Sequence, residues 1–157
     1  MNFHRYILIP IFVFLILSSS VTFAKKAAIV IDFDTKEVLF EVNANTKNYP
    51  ASLTKIMTLY ILFDQIEKGL LTYDTKLKVS KIASSRSPSK LYLEAGSYIK
   101  VEDAIMALII KSANDVATVV AENISGTEKD FAKLMTRYAR NLGMASTTFK
   151  NASGLPN

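Results

Sequence analysis

Ser52 and Lys55, in Ser52-Leu53-Thr54-Lys55, place a hydroxyl and an amine three residues apart. On a helix that spacing puts both side chains on one face, about 5 to 6 Å apart. A serine needs a base before it attacks a carbonyl. An amine can be that base once burial or nearby positive potential lowers its pKa from about 10.4 toward neutrality. The first turn of a helix supplies such potential: its free N–H groups and the positive end of its dipole favour an alkoxide and disfavour an adjacent ammonium. The spacing recurs at Ser87-Pro88-Ser89-Lys90 and at Ser97-Tyr98-Ile99-Lys100, so context has to choose among three pairs. Ser52 follows Pro50 at the head of a long apolar segment. Ser87 falls in a basic stretch and Ser97 beside Gly96. The alternative for Ser52 is an ordinary first-turn serine with Lys55 at the surface.

Ser112-Ala113-Asn114 is a second constellation, a hydroxyl and a carboxamide on a link between two helical patterns. Ser112 could relay a proton between Lys55 and a leaving group, and Asn114 could orient Lys55 and a substrate amide. Either could instead cap the helix that follows, a common use of Ser and Asn.

Composition narrows the chemistry further. The 157 residues include no Cys and a single His, His4, which lies in a leader-like segment. Met1 to Arg5 is a basic start, Tyr6 to Leu17 is uncharged, and Ser18 to Ala24 ends in a small-x-small pattern before Lys25-Lys26. This is the grammar of a secretory signal over residues 1–24, with an apolar run shorter than the roughly 20 residues of a membrane-spanning helix. It predicts an exported protein, in the periplasm or at the outer face of the membrane, with one domain over residues 25–157. Removing the signal removes His4. Neither imidazole nor thiol then remains, which excludes a Ser-His-Asp triad, a cysteine nucleophile, a structural zinc site and disulfides.

The elements that must position these residues follow from periodicity. Residues 27–33 read as a mostly buried strand, 34–36 as a turn and 37–42 as the antiparallel partner. The segment from Pro50 to Lys68, closed by Gly69, carries apolar residues around nearly its whole circumference, which predicts a helix buried on most sides. Lys76 to Lys90 holds five cations and no anion. Without interleaved aromatics it reads as a solvated or substrate-facing loop rather than a nucleic-acid stripe. Helices are predicted over 101–111, over 116–122 and, behind a Thr127-x-x-Asp130 capping box, over 128–142 with Gly143 as the stop. Residues 147–157 read as a strand or loop.

S-x-x-K followed by S-x-N is the motif order of serine β-lactamases and penicillin-binding proteins. This chain resembles the low-molecular-weight penicillin-binding proteins of the D-alanyl-D-alanine carboxypeptidase type. The likeness runs through Pro50-Ala51-Ser52-Leu53-Thr54-Lys55-Ile56-Met57-Thr58, Ser89-Lys90-Leu91, Glu94-Ala95-Gly96-Ser97, Ser112-Ala113-Asn114-Asp115, Leu142-Gly143-Met144 and Thr148-Phe149-x-Asn151-x-x-Gly154-Leu155-Pro156. It implies an α+β fold like that of serine β-lactamases and D,D-peptidases, an antiparallel sheet flanked by helices with a helical subdomain. It further implies Ser52 as acyl-ester nucleophile, Lys55 as general base, Ser112 as proton relay and Asn114 as a substrate-holding residue. The substrate would be the peptidoglycan pentapeptide, with β-lactams as covalent inhibitors and no cofactor, metal or nucleic acid.

The family's third motif, Lys-Thr/Ser-Gly, does not occur in residues 1–157. In the family it supplies the cation for the substrate carboxylate and an oxyanion N–H, and losing one such donor costs about 2.7 to 4 kcal/mol. The fold is therefore expected to lack the later sheet strands, with a separate chain as a candidate source of them. An exported peptidoglycan-binding remnant without turnover and a serine β-lactamase are the alternative readings.

Overall fold

The computed structural model describes residues 26–156; the expected leader lies outside the described residues. The chain divides into two units, the first reaching Asn48 and the second beginning at Tyr49. In the first, β1 (Ala28–Ile31) pairs antiparallel with β2 (Val38–Val42), with Val30 opposite Phe40 and a register irregularity after it. The turn between them is tied by Asp32, whose Oδ1 accepts from Asp34 N (3.0 Å), Thr35 N (2.7 Å) and the Thr35 hydroxyl (2.8 Å). The hairpin is as expected, and every residue of both strands is exposed, as expected of a hairpin without the later sheet strands; what is corrected is the reading of residues 27–33 as a mostly buried strand. A two-stranded ribbon has too little area to cover its own faces, so apolar alternation marks a strand without ensuring that it is buried.

The second unit is mostly helical. A 3₁₀ turn, Ala51–Leu53, leads into α1 (Thr54–Glu67), and Gly69 at φ +69° ends the segment as expected. Then come β3 (Lys76–Lys78), the short α2 (Lys81–Ser84) and β4 (Tyr98–Lys100), which pairs antiparallel with β3 so that Leu77 faces Ile99. Next are α3 (Val101–Met106), continued as a π-helical turn over Ala107–Lys111, α4 (Asn114–Ser125) and α5 (Glu128–Asn141). Thr127 Oγ1 accepts from Asp130 N at 3.0 Å, the expected cap of α5.

Two expectations need correction here. The stretch Lys76–Lys90 is not a loop throughout, because Leu77 and Val79 are buried and β3 and α2 are built from it. Its lysines alternate with those apolar residues and turn outward. The helix enclosed on all sides is α4, in which Asn114 through Ala121 are all buried. By contrast α1 buries Lys55, Met57, Thr58, Ile61 and Leu62 and exposes the stripe Leu53, Ile56, Tyr60 and Phe63. An all-round apolar pattern permits enclosure, and packing partners decide which helix receives it. The core joins Ile61, Leu62, Leu77, Val116, Val119, Val120, Phe131 and Met135. Helix α1 packs against α4 and α5.

Candidate active site

Ser52 sits on the 3₁₀ turn before α1 and is exposed. Lys55 is in the first turn of α1, only 3% exposed, and its Nζ donates to the Ser153 carbonyl at 2.8 Å. Burial pushes the Lys55 ammonium below the ordinary lysine value of 10.5. The positive end of the α1 dipole acts in the same direction. The other two S-x-x-K lysines differ. Lys90 donates to the Ser84 carbonyl at 3.1 Å and stands over the Tyr92 ring. Lys100 is paired with Asp74 at 2.8 Å and with Glu102 at 3.3 Å, and the Asp74 carboxylate raises its pKa. Of the three, Lys55 is the buried amine displaced in the direction a base requires.

The acceptor for Lys55 comes from a turn that the sequence reading did not assign to the site. Asn151 Oδ1 accepts from Gly154 N at 2.7 Å and from Ser153 N at 3.2 Å, folding residues 151–154 back on themselves. That fold aims two successive carbonyls at α1. Ala152 O accepts from the buried Thr58 hydroxyl at 2.8 Å, and Ser153 O accepts from Lys55. Gly154 makes the approach possible. At φ +82°, a Cβ on it would stand 1.9 Å from the Ala51 carbonyl oxygen and 2.8 Å from Thr54 Oγ1. Ala51, immediately before Ser52, is itself left-handed at φ +48°. The available sequence signal was the spacing Asn151-x-x-Gly154, an Asx-turn acceptor followed by a residue free to take positive φ.

Ser112 and Asn114 are held by a different segment. The π turn ends at Ser112, which is left-handed (φ 54°, ψ 42°) and partly buried. Widening of this kind is frequent at functional sites, because it re-aims a residue without ending the element around it. Neither residue caps α4: Ala113 occupies the cap position, with no side-chain cap hydrogen bond. Asn114 Nδ2 donates to Ser87 O at 3.0 Å, and its backbone N–H to Ser89 O at 2.7 Å. Asp115 accepts from Leu91 N and Leu93 N, extending this attachment. Thus the hydrogen bonds of Asn114 go to residues 87–89 and that of Lys55 to Ser153. Among the described residues no direct hydrogen bond joins Lys55 to Ser52, Ser112 or Asn114.

Comparison with known proteins gives the family and the fold. A family model described as D-alanyl-D-alanine carboxypeptidase, of peptidase family S11, matches residues 16–157. The chain is 37% identical over 138 residues to D-alanyl-D-alanine carboxypeptidase DacF of Bacillus subtilis, covering 88% of this chain and 36% of DacF. It is similar to the crystal structure of the carboxypeptidase DacD from Francisella tularensis (TM-score 0.81, 36% identity), covering 87% of this chain and 33% of that one. Penicillin-binding protein D2 of Listeria monocytogenes in its ampicillin-bound form gives a TM-score of 0.75 at 33% identity, with coverage of 88% and 55%. The chain spans about a third of the length of the curated relatives it matches. With the family model matching nearly the whole sequence, and solved relatives repeating its α+β fold, this chain belongs to the D-alanyl-D-alanine carboxypeptidase family.

Proposed function

We propose that residues 25–157 form the serine-bearing part of an exported D-alanyl-D-alanine carboxypeptidase that acts on peptidoglycan stem pentapeptides. One observation carries the reading: a buried amine, Lys55, one helical turn after an exposed serine and displaced below 10.5 by its burial. The Ser153 carbonyl accepts an N–H from that amine whether it is charged or neutral. When neutral, the nitrogen keeps a lone pair available for a proton.

In the proposed reaction Ser52 Oγ attacks the carbonyl carbon of the penultimate D-alanine as its proton passes to Lys55 Nζ. Ser112 then relays that proton, taking one from Lys55 Nζ as it gives its own to the amide nitrogen; the C–N bond breaks, and the terminal D-alanine leaves as an amine. Water hydrolyses the acyl ester and returns Ser52 to its starting form. Asn114 is assigned to hold the substrate. Turnover also needs an oxyanion donor and a cation for the terminal carboxylate, the roles of the absent Lys-Thr/Ser-Gly strand, whether that strand is on a continuation or a separate chain. β-Lactams are proposed to acylate the same serine, a reading supported by the ampicillin-bound relative.

Incubation with a fluorescent penicillin followed by peptide mass spectrometry tests this. The expected result is an adduct on Ser52, lost in Ser52→Ala. An adduct elsewhere, or none even after the third motif is supplied in trans, overturns it.

A further inference from the structure

Glu128 opens α5, one residue past the Thr127 cap, where the helix dipole favours a carboxylate. Its two oxygens serve different segments. Oε1 accepts from Ala152 N at 3.1 Å, in the turn whose carbonyls receive Thr58 and Lys55. Oε2 pairs with the Arg86 guanidinium. Arg86 Nε also donates to the Oγ1 of fully buried Thr118 at 2.9 Å. Arg86 directly precedes Ser87, whose carbonyl receives the Asn114 carboxamide. A surface groove of about 960 Å³ has Arg86 and Ser87 in its wall together with Glu128, Asn151 and Ser153.

Among the described residues this ion pair is unlike the others. Lys68–Asp64 and Lys133–Asp130 join residues within one helical turn, and Lys100–Asp74 pairs a lysine with a largely exposed carboxylate. Arg86–Glu128 joins residues 42 positions apart, and the Glu128 side chain is 12% exposed. The pair therefore links the segment that holds Asn114 to the turn that holds Lys55, two groups of site residues with no direct hydrogen bond between them.

We propose that Arg86 and Glu128 are positioning residues for acyl transfer at Ser52, fixing the Asn151–Gly154 turn over Lys55 and locking that turn to the segment bound by Asn114. The proposal rests on the serine-acylation reading above. Without the Glu128 carboxylate, Ala152 N–H loses its acceptor and Arg86 its counter-charge. The turn is then free to lift and admit water to the lysine.

The test is an NMR titration of the full chain with ¹³Cε-labelled lysine, the Lys55 signal being assigned by its loss in Lys55→Arg and folding followed by circular dichroism. In the wild type Lys55 is expected to titrate below 10.5. Glu128→Ala is expected to move that titration upward by about half a unit or more while the fold persists. Glu128→Gln, which keeps an oxygen for Ala152 N–H, is expected to retain most of the displacement. A displaced Lys55 that does not respond to Glu128→Ala overturns the positioning role alone. A Lys55 that titrates ordinarily in the wild type overturns the catalytic reading and this proposal with it. Should Glu128→Ala fail to fold, Arg86→Ala is the second reading: faster amide exchange at Ala152 with an upward Lys55 shift supports the coupling, and no change in either refutes it.

Discussion

Gly154→Ala separates backbone conformation from close approach, because the chain contains its own control. Gly143 has φ +80° and nothing within 4 Å of a built Cβ, so Gly143→Ala bears only the cost of a left-handed alanine, about 1 kcal/mol. Gly154, at φ +82°, bears the same cost and a clash with the Ala51 carbonyl oxygen at 1.9 Å. To reach ordinary contact the turn must retreat by roughly 1.5 Å, which is enough to break hydrogen bonds at their present lengths. The two at stake are Thr58 to Ala152 O and Lys55 to Ser153 O, each 2.8 Å. A neutral bond is worth about 1 kcal/mol and one from a charged donor about 1.5 kcal/mol or more, so Gly154→Ala should cost about 3 to 4 kcal/mol in all. Urea unfolding at constant m measures both variants, and the difference between them, about 2 kcal/mol or more, is the predicted quantity. Equal losses in the two variants, or a Gly154→Ala protein whose Lys55 still titrates as in the wild type, would refute the close approach and with it the holding role of the turn.

Other outcomes follow from the same geometry. The rate of penicillin acylation should rise with pH and level off before 10.5, since only the neutral Lys55 amine takes the Ser52 proton; a flat profile across the displaced pKa counts against Lys55 as base. The unfolded chain holds that lysine's proton up to about 10.4 and the folded chain releases it earlier. Folding stability should therefore increase with pH across that window, and the slope should vanish in Lys55→Met, measured by denaturant titration at several pH values. Lys100→Ala removes exposed pairs with Asp74 and Glu102, so it should change stability by less than about 1 kcal/mol and leave acylation intact in the fluorescent-penicillin assay. Asp115→Ala leaves the Leu91 and Leu93 N–H groups without their acceptor and should cost about 2 to 4 kcal/mol by thermal or urea unfolding.

The local features of this protein are written in local residues. The α5 cap needs only Thr127 and Asp130, the end of α1 needs Gly69, and the β1–β2 turn needs Asp32, because each rests on contacts within a few positions. The candidate nucleophile and base were legible for the same reason: three residues apart on a helix is a spatial statement as well as a sequential one. The pairing of β3 with β4 left a fainter trace, the alternation at Leu77 and Val79 answered by Ile99 and Val101, obscured by the surrounding lysines.

The sequence by itself determined which groups are available for chemistry, a hydroxyl and an amine with no thiol anywhere and no imidazole beyond His4, and it determined the motif order that marks the family. Only the tertiary structure decided which of three identical spacings buries its lysine, since burial depends on what packs over a residue. Lys55 lies under Ser153, whereas Lys100 lies beside Asp74 in solvent. It also decided that α4 rather than α1 is the enclosed helix, that Asn114 is held by Ser87, and that Arg86 reaches Glu128. Lys55 meets Ser153 across 98 positions and Arg86 meets Glu128 across 42. Contacts at such separations arise from how helices and turns stack against one another, and no local periodicity encodes them.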